Sequence, residues 1–200
     1  MKDAIFTNRI NPSAKLPPRL HVVIDRDGTL VRHVPYLCAA DQVQLLPTVA
    51  AGVAHLADNG CQLYLHTNQS GVGRGYFALA DVHACNEEML LQIGLGADIF
   101  QEICIAPETP EQSAVYRKPS PRFGLELIAR HQIDAGRICY LGDNVTDMAT
   151  AQNIGCLGVG INTGVHDLRR AVEIGQIPAH FPVFDDFLSA AIYLTSMRAN

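Results

Sequence analysis

Two aspartates separated by a single residue, Asp25 and Asp27, lie in the motif DRDGT directly after an apolar run at residues 20–24. Two like charges this close raise one pKa unless a cation lies between them. Mg²⁺ suits that place because it binds few carboxylates together with water and phosphate. One carboxylate can also attack phosphorus, while the other exchanges a proton with the leaving oxygen and with water. Because D-G is common in turns, the motif alone predicts either a phosphoryl-transfer site or an ordinary turn.

Three further polar segments follow apolar runs later in the chain. The first offers a hydroxyl and backbone N–H groups that suit phosphate oxygens, and the second offers a lysine that can offset the charge of a transferring phosphoryl group. In the third, one aspartate can complete a Mg²⁺ site with Asp25, and another can orient the lysine or support the metal. In chain order these segments supply Thr67, Asn68, Gln69, Ser70 and Arg74, then Arg117 and Lys118, then Asp143, Asn144 and Asp147.

Each of these segments also has an ordinary structural interpretation. They are equally typical of a polar loop with capping residues, a solvated surface lysine, and acidic residues at a helix N-terminus. Their order, and their shared position after successive apolar runs, favours the chemical interpretation.

Short apolar runs alternate with helical stretches, which predicts βα units and an α/β fold with a Rossmann-like parallel sheet flanked by helices. The predicted strands are residues 20–24, 61–66, 99–105, 137–141 and 156–161. The predicted helices are about residues 48–58, 79–93, 120–131, 145–154 and 185–198, the third beginning at Ser120-Pro121 and the last at Asp185 or Asp186. Ligands of such sheets bind beyond the carboxyl ends of the strands, where the polar segments lie.

Length and composition set outer limits. A chain of 200 residues with 48% hydrophobic and 18% charged residues is typical of a globular protein. We expect an N-terminal arm at residues 1–19 and a single domain at residues 20–200. The sequence contains no long apolar segment and no secretory signal, which predicts a cytoplasmic protein. A net charge of −5 argues against nucleic acid or a membrane as the main partner. The six cysteines show no C-x-x-C spacing, and Cys61, Cys139 and Cys156, which lie in apolar runs, are expected to be buried thiols.

The motifs DRDGT, TN, RKP and GDNVTD resemble, in that order, the four motifs of haloacid dehalogenase-like phosphatases over about residues 20–165. The longer strings IDRDGTL, TNQSGVGRGYF and YRKPSP are similar to the D-glycero-D-manno-heptose 1,7-bisphosphate and histidinol-phosphate phosphatases. The resemblance implies a fold without a large cap domain and Mg²⁺-dependent hydrolysis of phosphomonoesters through an aspartyl-phosphate. Removal of the heptose 7-phosphate, in nucleotide-heptose biosynthesis for lipopolysaccharide or capsule, is the activity implied first. The expected partner is a small phosphosugar, bound by a monomer.

The resemblance assigns an expected role to the matching residues of each motif. The resemblance implies that Asp25 is the nucleophile and that Asp27 is the general acid/base. Mg²⁺ would be held by Asp25, the Asp27 backbone carbonyl and Asp143. The remaining implied roles are a phosphate-binding pair, Thr67 and Asn68; a stabilising lysine, Lys118; supporting residues, Asp147 and Asn144; and further substrate-binding residues, Gln69, Ser70, Arg74 and Arg117.

The segment before RKP departs from the family pattern. Relatives often carry a zinc loop there, and of its four ligands only Cys104 remains in this chain. One thiolate cannot form a closed tetrahedral site, so we expect no structural zinc. Packing of Pro107, Pro110 and Tyr116 is expected to hold the loop instead.

Alternative functions remain open at this point. Histidinol-phosphate phosphatase and polynucleotide 3′-phosphatase share the chemistry, although the acidic composition argues against the second. A non-catalytic phosphate-binding module would have no need of Asp27 as an acid/base. Three histidines, His33, His66 and His166, are expected near the mouth of the site, and His33 is the best candidate for touching substrate.

Overall fold

The computed structural model describes residues 19–197 of the chain. Of the predicted N-terminal arm, only Arg19 falls within the described residues, and the division into an arm and one domain stays a prediction. The strands are β1 (His21–Ile24), β2 (Gln62–Asn68), β3 (Phe100–Ala106), β4 (Ile138–Gly142), β5 (Leu157–Ile161) and β6 (Val183–Phe184). The helices are α1 (Val49–Asp58), α2 (Ser70–Gly73), α3 (Leu79–Ile93), α4 (Arg122–His131), α5 (Val145–Ile154), α6 (Leu168–Glu173) and α7 (Phe187–Ser196).

The six strands form one parallel sheet in the order β3-β2-β1-β4-β5-β6, which confirms the predicted α/β class. The central strand β1 pairs with β2 on one side and with β4 on the other. The chain adds β2 and β3 on one side of β1 and then β4, β5 and β6 on the other. The order of strand addition therefore reverses at β1, and the loops that leave β1 and β4 diverge. Such a reversal opens a crevice at the carboxyl ends of the strands, where ligands of this architecture bind.

Side chains of β1 alternate between two apolar clusters, one on each face of the sheet. Val22 and Ile24 belong to the cluster that α1, α3 and α7 cover, whereas Val23 belongs to the cluster covered by α4, α5 and α6. All three are fully buried. The continuous apolar run in the sequence is thus explained by a strand with both faces covered.

The five predicted strands and five predicted helices all form, with ends shifted by at most two residues. Helix α4 begins at Arg122, so Pro121 precedes the first turn instead of opening it. Asp186 is the cap of α7, since its side chain accepts from the Ser189 N–H. Three elements were not predicted, namely α2, α6 and β6. They have four, six and two residues and are too short for a periodic pattern.

The predicted buried cysteines are confirmed. Cys61, Cys139 and Cys156 are each at most 9% exposed, and burial raises the pKa of the Cys156 thiol to about 12. Such thiols contribute to packing and are poor nucleophiles. Among the helices of the described part of the chain, none is both long and apolar enough to cross a lipid bilayer.

Candidate active site

A buried lysine joins two of the predicted acidic residues. Lys118 Nζ lies 2.5 Å from Asp25 Oδ1 and 2.5 Å from Asp147 Oδ1. The lysine is 3% exposed. Burial alone would lower the pKa of its ammonium group, but the charges of Asp147 and Asp25 outweigh burial and raise that pKa well above its usual value. The structure therefore places a permanent positive charge against Asp25.

Lys118 is fixed through its backbone as well as its side chain. Its N–H donates to Asn68 Oδ1 over 2.9 Å, and Asn68 Nδ2 donates to its carbonyl over 3.2 Å. Asn68 ends β2, whereas Lys118 lies on the loop that precedes α4. The reciprocal pair ties that loop to the sheet, so the predicted phosphate-binding asparagine also positions the lysine.

Asp147 is held by the N-terminus of α5. Its Oδ2 accepts the Asn144 N–H over 3.0 Å, and Asn144 Oδ1 accepts the Thr146 N–H over 3.0 Å. This capping box satisfies N–H groups that have no partner within the helix. It also turns Asp147 Oδ1 towards Lys118. A Cβ at Gly142 would lie 2.3 Å from Asp147 Oδ2, so glycine is required there.

Asp143 is a buried carboxylate whose only described hydrogen-bond donor is the Thr29 hydroxyl. Thr29 Oγ1 donates to Asp143 Oδ1 over 3.0 Å, and the aspartate is 2% exposed. A Cβ at Gly164 would lie 1.6 Å from Asp143 Oδ2, so the backbone closes tightly around the carboxylate. Burial, followed by the charges of Asp25 and Asp147, raises the pKa of Asp143 to about 9.

These acidic residues fit a divalent cation. Ligand atoms of Asp25, Asp143 and Asp147 all lie within 4.8 Å of one another. Carboxylate oxygens are the preferred ligands of Mg²⁺. A cation beside Asp143 would supply the positive charge that its buried carboxylate lacks. Among the predicted ligands, Asp27 has its side chain engaged elsewhere, and its contribution through the backbone carbonyl stays a prediction.

The Asp27 side chain is held by three neighbours. Its Oδ2 accepts from Thr67 Oγ1 over 3.2 Å and from Gln69 Nε2 over 2.9 Å. Arg26 forms an ion pair with the same carboxylate over 3.0 Å. Thr67 and Gln69, which the sequence predicts as substrate-binding residues, therefore also orient the predicted acid/base. Arg26 was not singled out from the sequence, although its position between two aspartates was a signal.

Two adjoining cavities open above these residues. The first has a volume of about 260 Å³ and is lined by Asp25, Asp27, His33, Thr67, Asn68, Arg117, Lys118, Asp143, Asn144, Thr146, Asp147 and Val165. The second, of about 300 Å³, shares Asp27, His33 and Asn68 with the first and is lined further by Gln69 and Ser70. Arg74 is the one predicted site residue that lines neither of these two cavities. Its guanidinium instead forms an ion pair with Glu111 over 3.0 Å.

The three histidines differ in their placement. His33 lines both cavities, as expected for a residue that touches substrate. His66 is fully buried, and its Nε2 donates to the Tyr116 carbonyl over 2.9 Å. Burial and the nearby Lys118 lower the pKa of His66 to about 3, so this ring is neutral and structural. His166 is exposed and lines neither cavity.

The loop before Arg117 is organised by Glu108, which sequence reasoning missed. Glu108 Oε1 accepts the N–H groups of Val115 and Tyr116 over 3.2 and 2.7 Å. Arg117 donates to the Glu108 carbonyl over 3.2 Å. As predicted, Tyr116 contributes packing, against the cluster covered by α4, α5 and α6. The expectation that no zinc binds here stays a prediction.

Comparison with known proteins agrees with the family resemblance of the sequence motifs. Residues 115–190 match a HAD-hydrolase-like family model. A D-glycero-D-manno-heptose-1,7-bisphosphate 7-phosphatase from Thermosynechococcus vestitus is 34% identical over 162 residues, 75% of this chain and 82% of that protein. A histidine biosynthesis bifunctional protein HisB from Stenotrophomonas maltophilia is 30% identical over 142 residues, 70% of this chain and 40% of that protein.

Among solved structures, a D,D-heptose 1,7-bisphosphate phosphatase from B. bronchiseptica, crystallised with magnesium and phosphate, superposes with a TM-score of 0.80. It is 25% identical in sequence, and the match covers 89% of this chain and 99% of that chain. The similarity thus extends over nearly the whole described part of the chain.

Proposed function

Because the chain belongs to the haloacid dehalogenase-like hydrolases, we propose that it is a Mg²⁺-dependent phosphomonoesterase that removes the 7-phosphate of D-glycero-D-manno-heptose 1,7-bisphosphate. One observation carries the proposal. Asp25, Lys118 and Asp143 come from three separate loops and converge at the reversal of the sheet, in a cavity of about 260 Å³. The relatives named for this substrate support its assignment.

In the first half-reaction, a carboxylate oxygen of Asp25 attacks phosphorus in line with the leaving oxygen. A bond forms between Asp25 and phosphorus, and the bond from phosphorus to the sugar oxygen breaks. Asp27 gives its proton to the departing oxygen. Lys118 stays in contact with Asp25 and offsets the negative charge that accumulates on the phosphoryl oxygens.

In the second half-reaction, Asp27 takes a proton from a water molecule while the water oxygen attacks phosphorus. The bond between phosphorus and Asp25 breaks. Phosphate leaves and the Asp25 carboxylate is restored. Asp25 and Asp143 would hold Mg²⁺, which would supply positive charge to offset the carboxylates and the phosphate dianion. Asp147 keeps Lys118 in place throughout, because its other oxygen is fixed by the capping box of α5.

Arg117 supports a substrate with a second anionic group. It lines the first cavity and is half-buried, with one nitrogen donating to the Glu108 carbonyl over 3.2 Å. Five N–H donors give a guanidinium further capacity for phosphate oxygens. We propose that Arg117 binds the phosphate that is not hydrolysed, or the sugar beside it.

Histidinol phosphate is the second candidate substrate, because the relative of the histidine biosynthesis class is 30% identical over 70% of this chain. It carries one phosphate, so it would make no use of Arg117 as a second phosphate-binding residue. Arg117→Met should therefore raise KM for the bisphosphate by about tenfold, the loss of about one charge-assisted hydrogen bond, and leave KM for histidinol phosphate nearly unchanged.

A phosphate-release assay tests the proposed function. The purified full chain would be given both anomers of the heptose bisphosphate, histidinol phosphate, several phosphosugars and a 3′-phosphorylated oligonucleotide, with Mg²⁺ or with a chelator. We expect fastest turnover of the heptose bisphosphate, loss of activity with chelator and recovery with Mg²⁺. Asp25→Asn is the matched control for contaminating phosphatase. Preference for another substrate, or activity that survives exhaustive chelation, would contradict the proposal.

We propose further that the protein acts as a cytoplasmic monomer in nucleotide-heptose biosynthesis for lipopolysaccharide or capsule. The substrate named for the relatives supports this placement. Size-exclusion chromatography with light scattering tests the monomer, and cell fractionation tests the location. Loss of the heptose-containing glycan in a deletion strain tests the pathway.

A further inference from the structure

Arg26, the residue between the two aspartates of the first motif, is 1% exposed. Its guanidinium contacts the carboxylate of the adjacent Asp27. Its Nε donates to Asp27 Oδ2 over 3.0 Å, and one terminal nitrogen donates to Asp27 Oδ1 over 3.1 Å. The other terminal nitrogen donates to Asn86 Oδ1 on α3 over 2.8 Å. A two-point contact of this kind fixes the plane of a carboxylate as well as its position.

The donors around Asp27 are shared unequally between its two oxygens. Oδ2 accepts from Arg26, Thr67 and Gln69. Within the described residues, Oδ1 accepts from Arg26 alone. A carboxylate oxygen offers about two lone pairs, so Oδ2 is saturated and Oδ1 keeps acceptor capacity. Oδ1 is therefore the atom of Asp27 that can exchange a proton.

Stability does not account for this network. A buried ion pair gains little for the folded state, because removing both charges from water costs as much as their attraction returns. Asn86 Nδ2 is buried and finds no hydrogen-bond partner in residues 19–197. An unpaired buried donor is itself unfavourable. What the network does provide is a fixed direction for the Asp27 carboxylate at the wall of the first cavity.

We propose that Arg26, anchored by Asn86, is a positioning residue that holds Asp27 so that proton exchange takes place at Oδ1. This inference rests on the proposed phosphomonoesterase function. In the first half-reaction the Oδ1–H bond breaks as the leaving oxygen gains the proton. In the second, an O–H bond of water breaks and the Oδ1–H bond forms again. Arg26 keeps its own protons in both steps.

Dependence on the leaving group separates this role from a general structural one. A sugar alkoxide needs a proton in order to leave, whereas 4-nitrophenolate leaves without one. Because kcat/KM reports the first half-reaction, in which the leaving group departs, a misdirected Asp27 should lower kcat/KM for a sugar phosphate far more than for 4-nitrophenyl phosphate. A variant that is merely less well folded should lose both activities by the same factor.

Three substitutions test the network. Arg26→Met removes the contact, Arg26→Lys keeps the charge but cannot form the two-point contact, and Asn86→Leu removes the anchor at similar volume. For the sugar phosphate we expect kcat/KM to fall about 100-fold in both Arg26 variants and about tenfold in Asn86→Leu, within the range for general acid catalysis. For 4-nitrophenyl phosphate the fall should stay below about threefold. Met89→Leu, a buried change on the same helix, is the control and should leave the ratio of the two activities unchanged.

Equal losses on both substrates, or an unchanged ratio in Arg26→Lys, would overturn the proposal. Should the Arg26 variants fail to fold, Asn86→Leu alone decides it. If the wild type hydrolyses no phosphomonoester, the proposed function fails. The positioning role is then judged from crystal structures of the wild type and Asn86→Leu. A rotated Asp27 carboxylate in the variant would support positioning, and an unmoved one would overturn it.

Discussion

Replacing Asp143 by asparagine should stabilise the metal-free protein while it abolishes Mg²⁺ binding and turnover. The carboxylate is 2% exposed and its pKa is raised to about 9, first by burial and then by Asp25 and Asp147. Without a cation it therefore carries a proton in the folded protein at pH 7. In the unfolded chain, where the ordinary pKa of aspartate is about 3.9, it is ionised. Folding at pH 7 must take up that proton.

Proton uptake at pH 7 by a carboxyl of ordinary pKa costs about 4 kcal/mol. Asparagine has no charge to neutralise on folding and therefore avoids this free-energy cost. Its amide oxygen can still accept from the Thr29 hydroxyl. Asp25 and Asp147 take part in the same charge repulsion, so the benefit of removing one carboxylate is smaller than this full cost. We expect the free energy of unfolding to rise by about 1–3 kcal/mol, or Tm by about 3–10 °C. The direction of the Asp143 pKa shift sets the pH range over which stability changes. A raised pKa on an acid makes the metal-free wild type lose stability as pH rises from about 4 to about 9.

The assay is urea unfolding of wild type and Asp143→Asn with a chelator, at several pH values between 5 and 8.5. The difference in the free energy of unfolding should grow with pH across that interval. Adding Mg²⁺ should stabilise the wild type and leave the variant unchanged, because only the wild type binds the ion. A variant that is less stable than the metal-free wild type at pH 8, or a difference that does not depend on pH, would refute the reasoning.

Three further outcomes follow from the same geometry. Gly164→Ala should weaken Mg²⁺ binding by at least about tenfold, as expected when a supporting residue of a metal site is disturbed, because its Cβ would lie 1.6 Å from Asp143 Oδ2. Gly136→Ala, where the nearest atom would be 3.5 Å away, is the control, and calorimetric titration measures both. Asp27→Asn should lower kcat by about 10²–10⁴-fold and allow a phosphorylated protein to accumulate, seen by mass spectrometry as added phosphate; rapid turnover would contradict it. Lys118→Met should lower the free energy of unfolding by about 3–5 kcal/mol, because two buried carboxylates lose their cation; urea unfolding at pH 7 that matches wild type would contradict it.

The sequence could predict the elements and the acidic residues because both depend on local patterns. The run HVVI has three apolar residues after its histidine, and the structure buries them on both faces of β1. GDNVTD combines a strand end, a cap and an N3 aspartate, which place Asp147 without reference to any distant residue. Polar residues that follow parallel strands must meet at one edge of the sheet.

Contacts between distant residues could not be predicted in this way. Asn68 binds the backbone of a residue 50 positions away, and Arg26 binds Asn86 across 60 positions. No pattern in either segment specifies the other. The short helix α6 and strand β6 were missed for a related reason, since tertiary packing decides such short elements and intrinsic propensity does not.

The central position of β1 has a consequence for synthesis on the ribosome. Thr29 and Asp143, which contact each other in the finished fold, are 114 residues apart in the chain, and β1 needs β4 as its second neighbour. A nascent chain that has not yet released β4 therefore exposes one edge of β1, and an exposed apolar edge invites pairing with other chains. Protection of that edge and assembly of the acidic site occur in the same event, so premature termination before β4 should yield aggregating polypeptide without an assembled site.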